Sequence, residues 1–96
     1  MPLDVFVRFQ CKTGREEQLK LALLSILAPT RAEPACLEIS LFASLRQPSI
    51  FLIHSVWEDE AGFEAHAKLP HMVAFLSAVG EWIEHGVDAT RTERIG

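Results

Sequence analysis

Apolar and polar positions alternate at the start of the chain: Val5, Val7 and Phe9 fall at every second place, with Arg8 and Gln10 between them. That period predicts a β-strand over Leu3–Cys11. Thr13-Gly14-Arg15-Glu16 has the spacing of a capping box, so a helix is expected to start there. Leu19, Ala22, Leu23, Ile26 and Leu27 then share one face at helical spacing, and Pro29 marks an end or a kink. Two more apolar runs, Leu37–Ser44 and Ile50–Trp57, flank Leu45–Ser49 and predict a hairpin with a loop of several residues. Glu58-Asp59-Glu60 puts carboxylates where a helix start favours negative charge, and Phe63, His66 and Ala67 follow on one side of a short helix. Pro70 suits the first position of another helix. Its stripe of Met72, Phe75, Leu76, Val79, Trp82 and Ile83 runs to His85, with Gly86 as the stop. Val87–Ile95 reads as a final, more polar strand.

The order is β-α-β-β-α-β, with the second helical unit broken at Leu69-Pro70, which predicts a single α+β domain of ferredoxin-like pattern over residues 1–96. Both hairpin strands are apolar on both faces: Leu37, Ile39 and Leu41 against Cys36 and Phe42, and Phe51 and Ile53 against Ile50, Leu52 and Val56. Helices of one chain cover only one face of a sheet. The other face calls for a second copy, so a homodimer through the sheet is expected.

Composition narrows the partners. Thirteen acids against nine bases leave a formal charge of −4 with no basic stripe, which argues against nucleic acid. The most apolar stretch, Leu19–Ala28, is interrupted by Lys20 and Ser25 and is too short to span a bilayer, so no membrane association is expected. Cys11 and Cys36 lack CxxC spacing, and no basic, apolar leader opens the chain. Free thiols in the cytoplasm are the expectation.

Three segments in sequence, Arg31-Ala32-Glu33-Pro34-Ala35-Cys36-Leu37, Val56-Trp57-Glu58-Asp59-Glu60-Ala61, and Phe63-Glu64-Ala65-His66 leading to Pro70-His71-Met72-Val73-Ala74-Phe75, resemble the antibiotic biosynthesis monooxygenase family, which includes small quinol monooxygenases. The resemblance implies a dimeric α+β barrel with a pocket between sheet and helices in each subunit. It also implies oxygenation of dihydroxy-aromatics, quinols or polyketide-like molecules without flavin, haem or metal. The chain departs from the family at Ala35, where glycine is common, near Ile39 and Ser40, where tyrosine and glutamate are common, and at Ser55, near another common glutamate. A pocket so altered is less polar, which opens a second reading: a non-catalytic dimer of the same fold that binds a small ligand. The haem-degrading branch of similar proteins uses an asparagine, a tryptophan and a histidine, and segment matching puts Val7, His66 and Leu76 at those places. Leu76 supplies no iron ligand.

Cofactor-free oxygenation needs a base, an apolar pocket and access for O2. His66 and His71 are the candidate catalytic residues. His66 shares the helical face of Phe63, and His71 lies in a helix first turn where the dipole favours neutral imidazole. Each also has a plain structural role open to it, as a core histidine and as a helix-start residue. Trp57, His54, Phe63 and Phe75 are the candidate substrate-binding residues. Trp57 could stack on a planar ligand, although a tryptophan closing a strand is more often core, and Phe75 sits in a packing stripe. His54 alternates with Leu52 and Val56, which also suits a dimer contact. His54, His66 and His71 have no HxxxH or HxH spacing, so neither a metal nor another cofactor is expected.

Overall fold

Alternation in the strands separates a helix-covered face from an open one. The computed structural model describes residues 1–96 as β1 (Leu3–Gln10), α1 (Glu16–Ser25), α2 (Leu27–Arg31), β2 (Cys36–Ala43), β3 (Ile50–Trp57), α3 (Glu60–Ala67), α4 (Pro70–Val79) and β4 (Asp88–Thr92). The sheet order is β2-β3-β1-β4 with every neighbouring pair antiparallel, the ferredoxin-like α+β arrangement that the pattern predicts. Val5 and Phe9 of β1 and Phe51, Ile53 and Trp57 of β3 are buried on the helix side. There Leu19 and Leu23 of α1 and Met72, Phe75 and Val79 of α4 pack with Phe9, Ile39, Phe51 and Ile53 into the main core.

The opposite face carries Phe6, Phe42 and Leu52, all exposed in the single chain. Phe6 faces His54 across β1 and β3, and Phe42 faces Leu52 across β2 and β3, so the apolar residues form one patch. No helix is long and apolar enough to cross a membrane.

Several boundaries differ from the sequence expectations, each for a local reason. Thr13 does not cap α1: the N-cap is Arg15, without a side-chain cap bond, and Glu16 instead accepts from the Gly14 N–H at 2.9 Å. The turn needs positive φ at Gly14 (91°), a conformation glycine adopts without strain. The break after α1 comes at Ile26, ahead of Pro29, because a proline ring crowds the carbonyl four residues earlier, here that of Ser25. Pro29 itself sits in the first turn of α2, where its missing N–H leaves no bond unmade.

β2 starts one residue early, and a bulge between Cys36 and Glu38 pushes Leu37 out, 54% exposed, off the face it was expected to share with Ile39 and Leu41. The helix expected to reach His85 stops at Val79. Residues 82–84 have been captured by the end of β1, with Lys12 N–H donating to Trp82 C=O (2.7 Å) and Glu84 N–H to Gln10 C=O (2.8 Å). Ile83 is still buried, so its apolar side chain serves an extended bridge to Cys11 instead of a helical stripe. β4 ends at Thr92, opposite Asp4, because β1 offers almost no strand beyond that point for residues 93–95 to pair with.

Candidate functional site

Three short local devices bring the site together. Asp59 caps α3 by accepting the Gly62 N–H at 2.8 Å, and Gly62 lets the helix approach Ala35, where any Cβ would stand 2.5 Å from that of Ala35. That contact holds α3 against the turn carrying Glu33. Pro70 then opens α4, placing His71 in its first turn. The turn itself is closed by Glu33 N–H to Thr30 C=O and Cys36 N–H to Glu33 C=O.

His66, in the last turn of α3, is buried, with its ring 4.6 Å from that of Trp57 and 5.9 Å from that of Phe63. Its Nδ1 lies 2.7 Å from Glu33 Oε2, and His71 Nε2 lies 3.1 Å from the same oxygen. An ionised carboxylate can only accept, so both of these ring nitrogens donate, and in a neutral His66 ring the other nitrogen keeps its lone pair. Glu33 is only 11% exposed in its side chain, and its side-chain partners are these two imidazoles.

His66 also forms part of the wall of a cavity of about 200 Å³ between sheet and helices. Twelve of its fourteen lining residues are hydrophobic, Val7, Ile53, Phe63 and Phe75 among them, so Ser55 and His66 supply its polar side chains. Ser55 Oγ accepts the Trp57 indole N–H at 2.9 Å, which leaves the hydroxyl proton free for another acceptor. Val7, His66 and Leu76, the places matched to the haem-degrading branch, meet on this wall, and Leu76 brings no ligand atom to it.

Of the residues singled out by sequence, the structure brings His66, Phe63 and Phe75 to the cavity. His71 is joined to them through Glu33, and Trp57, fully buried, backs the His66 ring without reaching the cavity wall. His54 stands apart, on the open face of the sheet, where it stacks on Phe6 at 4.6 Å and meets Asp4 Oδ2 at 2.9 Å. It borders a wider hollow of about 390 Å³ over Phe6, Phe42 and Leu52. Sequence reasoning missed Glu33 and Ser55. Glu33 is separated from His66 by 33 positions, so no local spacing pairs them. Ser55 was legible only as a departure from the family pattern.

Glu33, His66 and His71 are also a possible ligand set, since their donor atoms lie within 4.8 Å of one another. His54 cannot join them from the other side of the sheet. Neither thiol suits nucleophilic chemistry near neutral pH. Burial and then the Glu33 carboxylate push the Cys36 thiol up, only partly opposed by the backbone at Glu38 and by Arg31. Burial, Glu16 and Glu84 push Cys11 up.

Residues 2–78 match the family model described as antibiotic biosynthesis monooxygenase. Rv0793 of Mycobacterium tuberculosis, provisionally named a monooxygenase, is 26% identical over 89 residues, covering 93% of this chain and 87% of that protein. Its solved structure superposes with a TM-score of 0.93, covering 100% of this chain and 97% of that one. PA3566 of Pseudomonas aeruginosa is 25% identical with a TM-score of 0.92, over 99% of this chain and 95% of that one. An uncharacterised Synechocystis protein, sll1783, is 24% identical over 75 residues; the match takes in 78% of this chain and about half, 51%, of that protein.

Proposed function

The chain belongs to the antibiotic biosynthesis monooxygenase family, and from that premise we propose that it is a cofactor-independent oxygenase of a small dihydroxy-aromatic, quinol or polyketide-like molecule. The observation that carries this reading is the His66–Glu33 pair at the wall of an apolar cavity. The ring nitrogen of His66 not bound to Glu33 takes the proton of a substrate hydroxyl. Glu33, already holding the Nδ1–H, fixes the tautomer and stabilises the imidazolium that forms. The apolar wall strips water from the resulting oxyanion and keeps it electron-rich. Ser55 offers one hydrogen bond to orient it.

The substrate supplies all four electrons that reduce O2. One oxygen atom of O2 bonds to a hydrogen-bearing ring carbon activated by the oxyanion, the peroxide takes up a proton, and the hydroperoxide's outer oxygen leaves as water with the hydrogen of that carbon, so that a quinone carbonyl remains. A homodimer closed over Phe6, Phe42 and Leu52 completes the proposal, in a reducing cytoplasm where both cysteines stay thiols.

Oxygen uptake by chelator-treated protein across dihydroxynaphthalenes, catechols and anthrones tests the reading. At least one compound should be turned over, and His66→Ala should lower that rate by about a hundredfold or more, the usual loss on removing a general base, while the fold persists by circular dichroism. Background rates for every compound, with a raised melting temperature on adding them, would favour the ligand-binding alternative. Full activity in His66→Ala would remove His66 from the chemistry.

A further inference from the structure

We infer that Glu33, His66 and His71 form a binding site for one divalent transition-metal ion of the zinc type. The Glu33 carboxylate is largely withdrawn from water, and no lysine or arginine pairs with it; its partners are two imidazoles. A carboxylate so withdrawn from water is stabilised by a cation held against it, and a metal ion is a cation that the two imidazoles could share with it. Two imidazole nitrogens and one carboxylate oxygen are donors that suit zinc, cobalt or nickel, whereas magnesium and calcium prefer oxygen alone.

The distances set how far the three side chains must move. Tetrahedral zinc with bonds of about 2.0–2.1 Å holds its ligands roughly 3.3 Å apart. Glu33 Oε2 is now 2.7 Å from His66 Nδ1 and 3.1 Å from His71 Nε2, so both contacts open by less than an ångström. The donor atoms of the three residues lie within 4.8 Å of one another, so the two imidazoles close by up to about 1.5 Å toward the ion. Each imidazole shifts its proton to the other ring nitrogen or gives it up, as metal ligation requires. The donors come from the turn after α2, the last turn of α3 and the first turn of α4, so one ion would tie together three segments.

Metal and base occupy the same atoms. With an ion on Nδ1, the neutral His66 ring carries its proton on Nε2 and cannot accept one from a phenol. A bound ion therefore switches off the base proposed above. The binding claim itself does not depend on turnover.

Isothermal titration of the chelator-treated full chain with zinc chloride is the test, with cobalt(II) absorption as a second readout. One ion per chain should bind in the micromolar range or tighter, and cobalt should give the intense visible bands of tetrahedral N/O coordination. Glu33→Gln and His71→Ala, each checked for fold by circular dichroism, should weaken binding by at least about tenfold, comparable with or beyond the loss of an outer-shell partner. His54→Ala and His85→Ala should leave it unchanged. Absence of stoichiometric binding overturns the inference, as does binding lost in His54→Ala or His85→Ala and kept in Glu33→Gln and His71→Ala. In either case the oxygenase reading keeps its own test, because oxygen uptake is measured without metal.

Discussion

Glu33→Ala probes the pair on which the site is built. The substitution removes the acceptor of two hydrogen bonds. The one from His66 is short, 2.7 Å, between side chains only 7% and 11% exposed. A hydrogen bond to a charged group contributes roughly 1.5–3 kcal/mol, and losing its acceptor leaves the buried Nδ1 donor without a partner. The bond from His71 is longer, 3.1 Å, and its ring is 28% exposed, so solvent reduces its share to about 0.5–1 kcal/mol. Together the loss is about 2–4 kcal/mol, a large part of the stability of a domain this size. Glu33→Gln keeps the shape and a neutral carbonyl acceptor and should lose only about 1 kcal/mol. Urea unfolding at fixed protein concentration measures both. The fluorescence of Trp57, which packs on His66, is the natural probe. A Glu33→Ala change within about 0.5 kcal/mol of the parent, the range of ordinary surface substitutions, would refute the view that this carboxylate holds the two helices.

Gly62→Ala should destabilise by about 1–3 kcal/mol despite alanine's higher helix propensity, because the new Cβ would meet that of Ala35 at 2.5 Å. Adding Ala35→Gly should recover most of the loss in a thermal melt, and no recovery would place the strain elsewhere. The parent protein should sediment as a dimer and Leu52→Asp as a monomer, since the charge would fall in the middle of the Phe6–Phe42 patch; a parent that stays monomeric at micromolar concentration defeats the sheet-to-sheet assembly. Cys11 and Cys36, both with raised thiol pKa, should resist iodoacetamide in the folded protein at pH 8 and react on unfolding. Because the folded state holds these protons more tightly than the unfolded chain, stability should be unaffected below the ordinary thiol pKa of about 8.5 and should fall as pH rises past it. Rapid labelling of the native protein, or an increase in stability across that range, would contradict this.

Periodicity alone determined the strands, the hairpin, the helix opened by Pro70 and the two-faced sheet, because a period of two or 3.6 is a property of the local chain and reports which side meets apolar surroundings. It also placed His66 on the inward face beside Phe63. It misjudged the elements whose ends depend on a partner. Trp82 and Ile83 continue a helical stripe in sequence, yet the free edge groups of Lys12 and Gln10 draw that segment into a bridge. Leu37 fits the strand alternation until the bulge at Cys36 turns it outward.

The site was only half legible for the same reason. His66 and His71 were visible as residue types suited to proton transfer, and alternation already put His54 with Leu52 and Val56, yet it stayed among the substrate-binding candidates, and the folded sheet sets it on the face away from the cavity. Glu33 gained its importance solely from folding, when Gly62 lets α3 approach Ala35 and sets one carboxylate oxygen between two imidazoles from different helices. Hydrogen bonds and ligand sets act over about three ångströms of space, and no pattern along the chain encodes which distant residues close that gap.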